Sequence, residues 1–127
     1  MPGKEDAIQM QIVCFLSEHQ RKGNYIFFSV PNEGVLKAAG ANRAKTWFFA
    51  IITKLKKMGM LPGVSDLVIV KNGRTFFLEL KAPGKKLSKN QIIFLNNAGK
   101  VGAATGWADS YNLAVMILKY WGIVCQD

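Results

Sequence analysis

Apolar positions recur at helical spacing along the first segment, where Ile8, Ile12, Phe15 and Leu16 share one stripe with His19, and Gly23-Asn24 ends the run. Residues 4–22 are therefore predicted to form an amphipathic helix, with Glu5 at the start of its stripe. Aromatic and β-branched side chains then run from Tyr25 to Val30 between Asn24 and Pro31, which predicts a buried strand. Residues 32–42 are rich in Gly and Ala and read as a loop. From Arg43 to Met58, positions 44, 47, 48, 51, 55 and 58 repeat at helical spacing. The length of the segment and its Lys-rich flanks favour a helix over a strand at 47–52.

Asn72-Gly73 stands between two β-rich runs, Asp66–Val70 and Thr75–Lys81, and this dipeptide is the strongest short-range hairpin signal a sequence offers. Ser88 with Gln91 three residues later forms a capping box, opening a helix to about Ala98. A Gly-containing strand over Val101–Trp107 follows. Asp109 or Ser110 then caps a last helix whose stripe is Leu113, Met116, Ile117, Tyr120 and Trp121. The order α-β-α-β-β-α-β-α predicts an α/β fold: one domain spanning residues 1–127, its mixed sheet covered by helices on both faces.

The hairpin register carries the chemistry. A two-residue turn pairs Lys71 with Arg74, and each later pair steps one residue outward on both strands, so Asp66 stands opposite Glu79. Opposed side chains share a face with Cβ atoms about 5 Å apart, and Lys81 joins that face because strand side chains alternate. Two carboxylates facing each other beside Leu67, Val68, Phe77 and Leu78 would weaken the hairpin unless a cation sat between them. A hard divalent ion such as Mg²⁺ takes oxygen ligands and leaves positions for water and phosphate, as phosphodiester hydrolysis requires. Lys81 would orient or deprotonate the attacking water, or stabilise charge on the phosphorane. Spacing alone leaves a structural alternative open, in which Asp66 caps the turn after Pro62-Gly63 while Glu79 and Lys81 pair along an exposed edge.

Composition points the same way. The chain has 127 residues, half of them hydrophobic, enough for one buried core. Its 17 Lys and Arg against 8 Asp and Glu give a formal net charge of +9, a field suited to a polyanion such as nucleic acid. So few carboxylates make those on apolar strands conspicuous. No window reads as a membrane span, and Lys4, Glu5 and Asp6 occupy the place where a signal peptide would be apolar, so a cytoplasmic location is expected. Cys14 and Cys125 match no metal-ligand spacing and are expected to be reduced and structural.

Taken together, Gly63-Val64-Ser65-Asp66-Leu67, Phe77-Leu78-Glu79-Leu80-Lys81, and Leu87-Ser88 with Gln91 resemble the virus-type replication-repair nuclease (VRR-NUC) family of the PD-(D/E)XK superfamily. Glu5, Pro31-Asn32 and Gly59 through Gly63 extend the resemblance over roughly residues 5–121. It implies Mg²⁺- or Mn²⁺-dependent cleavage of DNA, often branched DNA, with Asp66, Glu79 and the Leu80 carbonyl binding metal and Lys81 as the catalytic lysine. Ser65 replaces the proline of the superfamily name, at a position that shapes the turn and supplies no ligand. The segment 34–58 interrupts the minimal superfamily core.

Other residues have both a functional and a structural reading. Glu5 would approach the metal through water, but the helix dipole also favours an acid there. Gln91 would contact the site or substrate, though the capping box alone accounts for it. Asn32, Lys37, Arg43, Lys45, Lys85, Lys86 and Lys89 are candidate DNA contacts. Glu33 reads as an exposed loop acid, and His19 as a packed side chain without chemistry. If 47–52 is helical, its unbroken apolar run leaves Phe49 or Ile52 for a partner, so a homodimer presenting two metal sites to a four-way (Holliday) junction is expected. The competing functions are a non-catalytic nucleic-acid-binding module and a nuclease of the same fold acting on flaps, duplex DNA or RNA.

Overall fold

The structure is a computed structural model that describes residues 3–20, 24–31, 40–41 and 43–125. Its elements are α1 (Lys4–His19), β1 (Ile26–Ser29), α2 (Lys45–Lys57), β2 (Leu67–Lys71), β3 (Arg74–Leu80), α3 (Lys89–Lys100), β4 (Ala104–Ala108) and α4 (Tyr111–Tyr120). This is the order read from the sequence. The four strands form one sheet in the order β1-β2-β3-β4, antiparallel except for the parallel β3–β4 pair. Among the described residues, no helix is long and apolar enough to cross a membrane.

The β2–β3 turn adopts the expected geometry. Asn72 and Gly73 both have positive φ, 52° and 75°, as the favoured two-residue hairpin turn requires. Lys71 pairs with Arg74 and Leu67 with Leu78, so the register is the one that sets Asp66 against Glu79. Alternation then sorts the sheet into two faces. Leu67, Ile69, Phe76, Leu78 and Leu80 join Ile8, Ile12, Phe15 and Leu16 of α1 and Ala114 and Leu118 of α4 in the main core. Each fully buried leucine there contributes roughly 2 kcal/mol. The opposite face meets α3 where the Phe77 and Phe94 rings pack edge to face at 4.9 Å.

Several expectations need correction. Strand β1 is shorter than 25–30 and is not buried: it lies at the sheet edge, with Phe27 on the core but Ile26 and Phe28 exposed on the other face. That face is open because α3 packs over β3 and β4, away from β1. Helix α1 ends at His19, and residues 21–23, including Gly23, lie outside the described residues, as does most of the 32–42 loop. The expected stripe on α4 is rotated. Ala114 and Leu118 are buried and Ile117 and Trp121 pack on the core, while Leu113, Met116 and Tyr120 face outward. Small residues set this rotation, since a Cβ on Gly106 of β4 would come within 3.0 Å of Trp121 and 3.3 Å of Ile117.

On α2 the buried residue is Ile52, with Phe48, Ile51 and Leu55 half-buried and Trp47 and Met58 exposed. Ile52 is therefore taken up within the chain and is not left for a partner. Cys14 and Cys125 are free, as expected, but exposed, so neither serves as a packed structural side chain. His19 bonds through Nδ1 to the Phe15 carbonyl at 2.8 Å and packs edge-on against the Phe15 ring, in keeping with a structural role.

Candidate active site

Asp66 enters from the residue just before β2, and Glu79 from the penultimate position of β3. They are 4% and 2% exposed and, with Ser65, are the buried polar side chains among the described residues. Strand β3 is central, so Glu79 and Lys81 do not pair along an exposed edge, as the structural alternative had it. Backbone bonds fix the frame: Val30 N–H donates to the Asp66 carbonyl at 3.0 Å, and Lys81 N–H to the Ala108 carbonyl at 2.9 Å. The Asp66 carboxylate crosses to β3, where its Oδ2 accepts the Leu80 N–H at 2.9 Å. That bond sets one carboxylate oxygen against the backbone of Leu80, whose carbonyl is a candidate metal ligand.

Gln91 serves the cap and also touches Glu79. Its Oε1 accepts the Ser88 N–H at 2.8 Å while Ser88 Oγ accepts the Gln91 N–H, completing the capping box of α3. With the amide oxygen committed to the cap, the NH₂ group faces the sheet and donates to Glu79 Oε1 at 3.0 Å. A neutral amide thus holds one oxygen of the buried acid. The other, Oε2, is buried with no hydrogen-bond partner.

An ionised acid in that position is costly. Burial first, then repulsion from Asp66 and a hydrogen bond it can share with Asp66 once protonated, together push Glu79 from its ordinary 4.5 up to about 9, with Lys81 opposing the rise. Glu5 is raised too, by burial first and then by Asp66, with Lys81 again pulling the other way. The fields of Glu5, Asp66, Glu79 and Lys81 therefore overlap at one end of the sheet, although α1 and α3 lie on opposite faces. Of the residues singled out in the sequence, Glu5, Asp66, Glu79, Leu80, Lys81 and Gln91 come together here.

These residues suit a hard divalent cation. An orphaned carboxylate oxygen, a second carboxylate opposite it and a nearby backbone carbonyl are oxygen donors of the kind Mg²⁺ and Mn²⁺ accept, and a cation would offset the burial and the repulsion that hold the proton on Glu79. The donor set is small. Among the described residues no three His, Cys, Asp or Glu side chains form a ligand cluster, so Glu5 does not complete one with Asp66 and Glu79. Such a site leaves coordination positions for solvent and phosphate.

Of the candidate DNA contacts, Arg43, Lys45, Lys85, Lys86 and Lys89 are exposed, with the Arg43 guanidinium 5.5 Å over the Trp47 ring. Asn32 and Lys37, like Glu33, lie outside the described residues. Two supporting residues were missed by sequence reasoning. Ser110 is the α4 cap, so Asp109 is free to accept the Gly84 N–H at 3.2 Å and tether the turn after Lys81; the pairing of two plausible caps was the available signal. Gly63 (φ +82°) sits where a Cβ would fall 2.3 Å from the Asn90 carbonyl oxygen, so the strand β2 approach packs directly on the start of α3. Pro62-Gly63 signalled a turn but not this contact.

Comparison with known proteins bears on the whole arrangement. The VRR-NUC domain family matches residues 4–110. Two solved structures, described as a VRR_NUC domain and a VRR_NUC domain protein, share the fold. The first has 15% identity and a TM-score of 0.62 over 94% of this chain and 99% of its own; the second has 16% and 0.65 over 98% and 92%. No curated protein matches the sequence.

Proposed function

This chain belongs to the VRR-NUC family of nucleases, and from that premise we propose that it is a Mg²⁺- or Mn²⁺-dependent DNA endonuclease acting on branched DNA such as four-way junctions. The observation that carries the reading is Glu79 Oε2, a buried carboxylate oxygen without a partner, set against Asp66 in a strongly basic chain. Asp66, Glu79 and the Leu80 carbonyl hold the metal. A bound divalent ion supplies Lewis-acid polarisation of the scissile phosphate and lowers the pKa of attacking water.

The chain's own groups do the rest. Gln91 fixes the rotamer of Glu79, and the Leu80 N–H fixes Asp66, so the two carboxylates meet the ion without reorganising. Lys81, half-buried and within electrostatic reach of Glu79 and Glu5, would place a positive charge near the attacking water or the phosphorane oxygens. Glu5 accepts from a water at the site's rim. Arg43, Lys45, Lys85, Lys86 and Lys89 contact backbone phosphates.

Branched DNA has paired strands to cut, and a two-fold dimer would offer two sites to them. Phe49, 62% exposed on α2, is the most exposed large apolar side chain of the 47–52 run and the one a second copy would cover. Light scattering at micromolar concentration tests the dimer, and a strict monomer overturns it. Labelled duplex, flap, single-stranded and four-way DNA, with Mg²⁺, Mn²⁺ or EDTA, tests the activity. Metal-dependent cleavage strongest on the four-way substrate is expected; binding without cleavage under every condition would leave a non-catalytic module instead.

A further inference from the structure

From Gly34 to Ser65 the chain has no Asp or Glu, yet carries Lys37, Arg43, Lys45, Lys54, Lys56 and Lys57. The described part of this stretch is mostly helix α2, so the helix adds only positive charge to the surface. Its side chains are also sorted by size. Ile52 faces inward, flanked by half-buried Phe48, Ile51 and Leu55. At about 3.6 residues per turn the opposite side carries Thr46, Ala50, Thr53, Lys54 and Lys57. All five are exposed.

We propose that this outward side of α2 is a second DNA-backbone surface, gripping phosphates away from the one that is cut. The proposal rests on the nuclease reading and deepens it. Short side chains at Thr46, Ala50 and Thr53 let a sugar-phosphate strand approach the helix closely, two hydroxyls supply donors, and Lys54 and Lys57 supply charge. A strip of small, hydroxyl and ammonium groups suits phosphate, while Phe49, exposed at its edge, is the side chain left to a second copy. The surface is also within reach of the catalytic end. Nine chain steps separate Lys57 from Asp66, a span of at most about 30 Å, which is less than one duplex turn of about 34 Å. The intervening segment is seated on α3 by the contact of Gly63 with Asn90, which ties α2 to the frame of the site.

Lysines in a last helical turn also offset the helix dipole, and that role alone would leave DNA binding untouched when they are replaced. The test is therefore binding. The probe is a fluorescein-labelled four-way junction and its parent duplex, followed by anisotropy in EDTA across a salt series. The double variant Lys54→Gln, Lys57→Gln is expected to bind about tenfold more weakly and to lower the slope of log affinity against log salt by about 1.8. Its single-turnover cleavage with Mg²⁺ at saturating DNA stays at the wild-type rate.

Ala50→Glu keeps a strong helix former but sets a negative charge on the same side, and it is expected to weaken binding at least as much with unchanged circular dichroism. Lys100→Gln with Arg74→Gln, an equal charge loss elsewhere, is expected to change the slope far less. Three results overturn the proposal: an unaltered slope in the Lys54, Lys57 variant, wild-type affinity in Ala50→Glu, or an equal loss in the Lys100, Arg74 pair. If the wild type binds and cleaves while these variants match it, the α2 surface alone is wrong. If the wild type neither binds nor cleaves, the nuclease reading fails with it.

Discussion

Glu79 is the residue on which the site turns, since a buried acid whose one oxygen is held by Gln91 and whose other has no donor awaits either a proton or a metal. Asp66→Asn, Glu79→Gln and Lys81→Ala are each expected to abolish cleavage, by a hundredfold or more on the order of single-group losses in charge-stabilised catalysis, while DNA affinity and far-ultraviolet dichroism stay near wild type. Near wild-type turnover with Mg²⁺ in any of them would remove that residue from the site. Gln91 separates packing from chemistry more finely. Gln91→Glu keeps an acceptor for the Ser88 N–H, so α3 stays capped, but loses the donor to Glu79 and adds a like charge. Metal affinity is expected to fall by roughly ten- to a hundredfold with a thermal midpoint close to wild type, and a calorimetric titration with Mn²⁺ measures the drop. An unchanged affinity would mean that Gln91 serves the cap alone. The sequence made Asp66, Glu79 and Lys81 legible because a hairpin register is simple arithmetic. It left Gln91 undecided because a capping box explains its presence fully, and only the way the start of α3 lies over the sheet shows the second bond.

At the level of elements, what was legible depended on how local the determinant is. The Asn72-Gly73 turn and the Ser88–Gln91 cap are decided within a few residues, and both form as the sequence implies. Helix α4 was not decided locally. It is apolar on nearly every turn, so spacing cannot choose a face, and the choice falls to Gly106 and Ala114, whose small size admits Ile117, Trp121 and Leu118 to the core. Strand β1 was misread for a related reason: an aromatic, β-branched run is the same whether a strand is central or at an edge, and only the sheet order separates them. Gly63 belongs to this level because it joins two elements. Gly63→Ala brings a Cβ to 2.3 Å from the Asn90 oxygen at a φ of +82°, so either α3 or the approach to β2 must shift. A destabilisation of about 1–3 kcal/mol is expected, read by urea unfolding, with a loss of cleavage larger than stability alone predicts because Gln91 moves away from Glu79. A stable Gly63→Ala protein with full activity would show that the contact is dispensable.

For the molecule as a whole, the buried acid couples folding to both pH and metal. Between its ordinary 4.5 and about 9, Glu79 holds a proton in the folded chain that it releases on unfolding. The folded state therefore binds more protons across that window, and stability falls as pH rises through it, by at most about 1.4 kcal/mol per pH unit. The stability is full at the acid end of the window and lost at the alkaline end, opposite to the behaviour of a salt-bridged carboxylate. Glu79→Gln is neutral throughout and should flatten this slope. Metal works against the proton: binding to the ionised carboxylates expels it, so Mg²⁺ or Mn²⁺ affinity should strengthen with pH over the range where the metal-free protein weakens. At a metal concentration a hundredfold above Kd, the folded state gains about 2.7 kcal/mol, and for a chain of this length that corresponds to a rise of about 10 °C in Tm. The measurement is thermal unfolding of wild type, Asp66→Asn and Glu79→Gln, each with EDTA and with Mn²⁺, across the same pH window. The wild type should lose stability with pH in EDTA and regain it with Mn²⁺, and neither variant should show the metal-dependent gain. A metal-induced rise of equal size in all three proteins would place the ion elsewhere on the chain, and a flat wild-type profile in EDTA would mean that Glu79 is ionised without help.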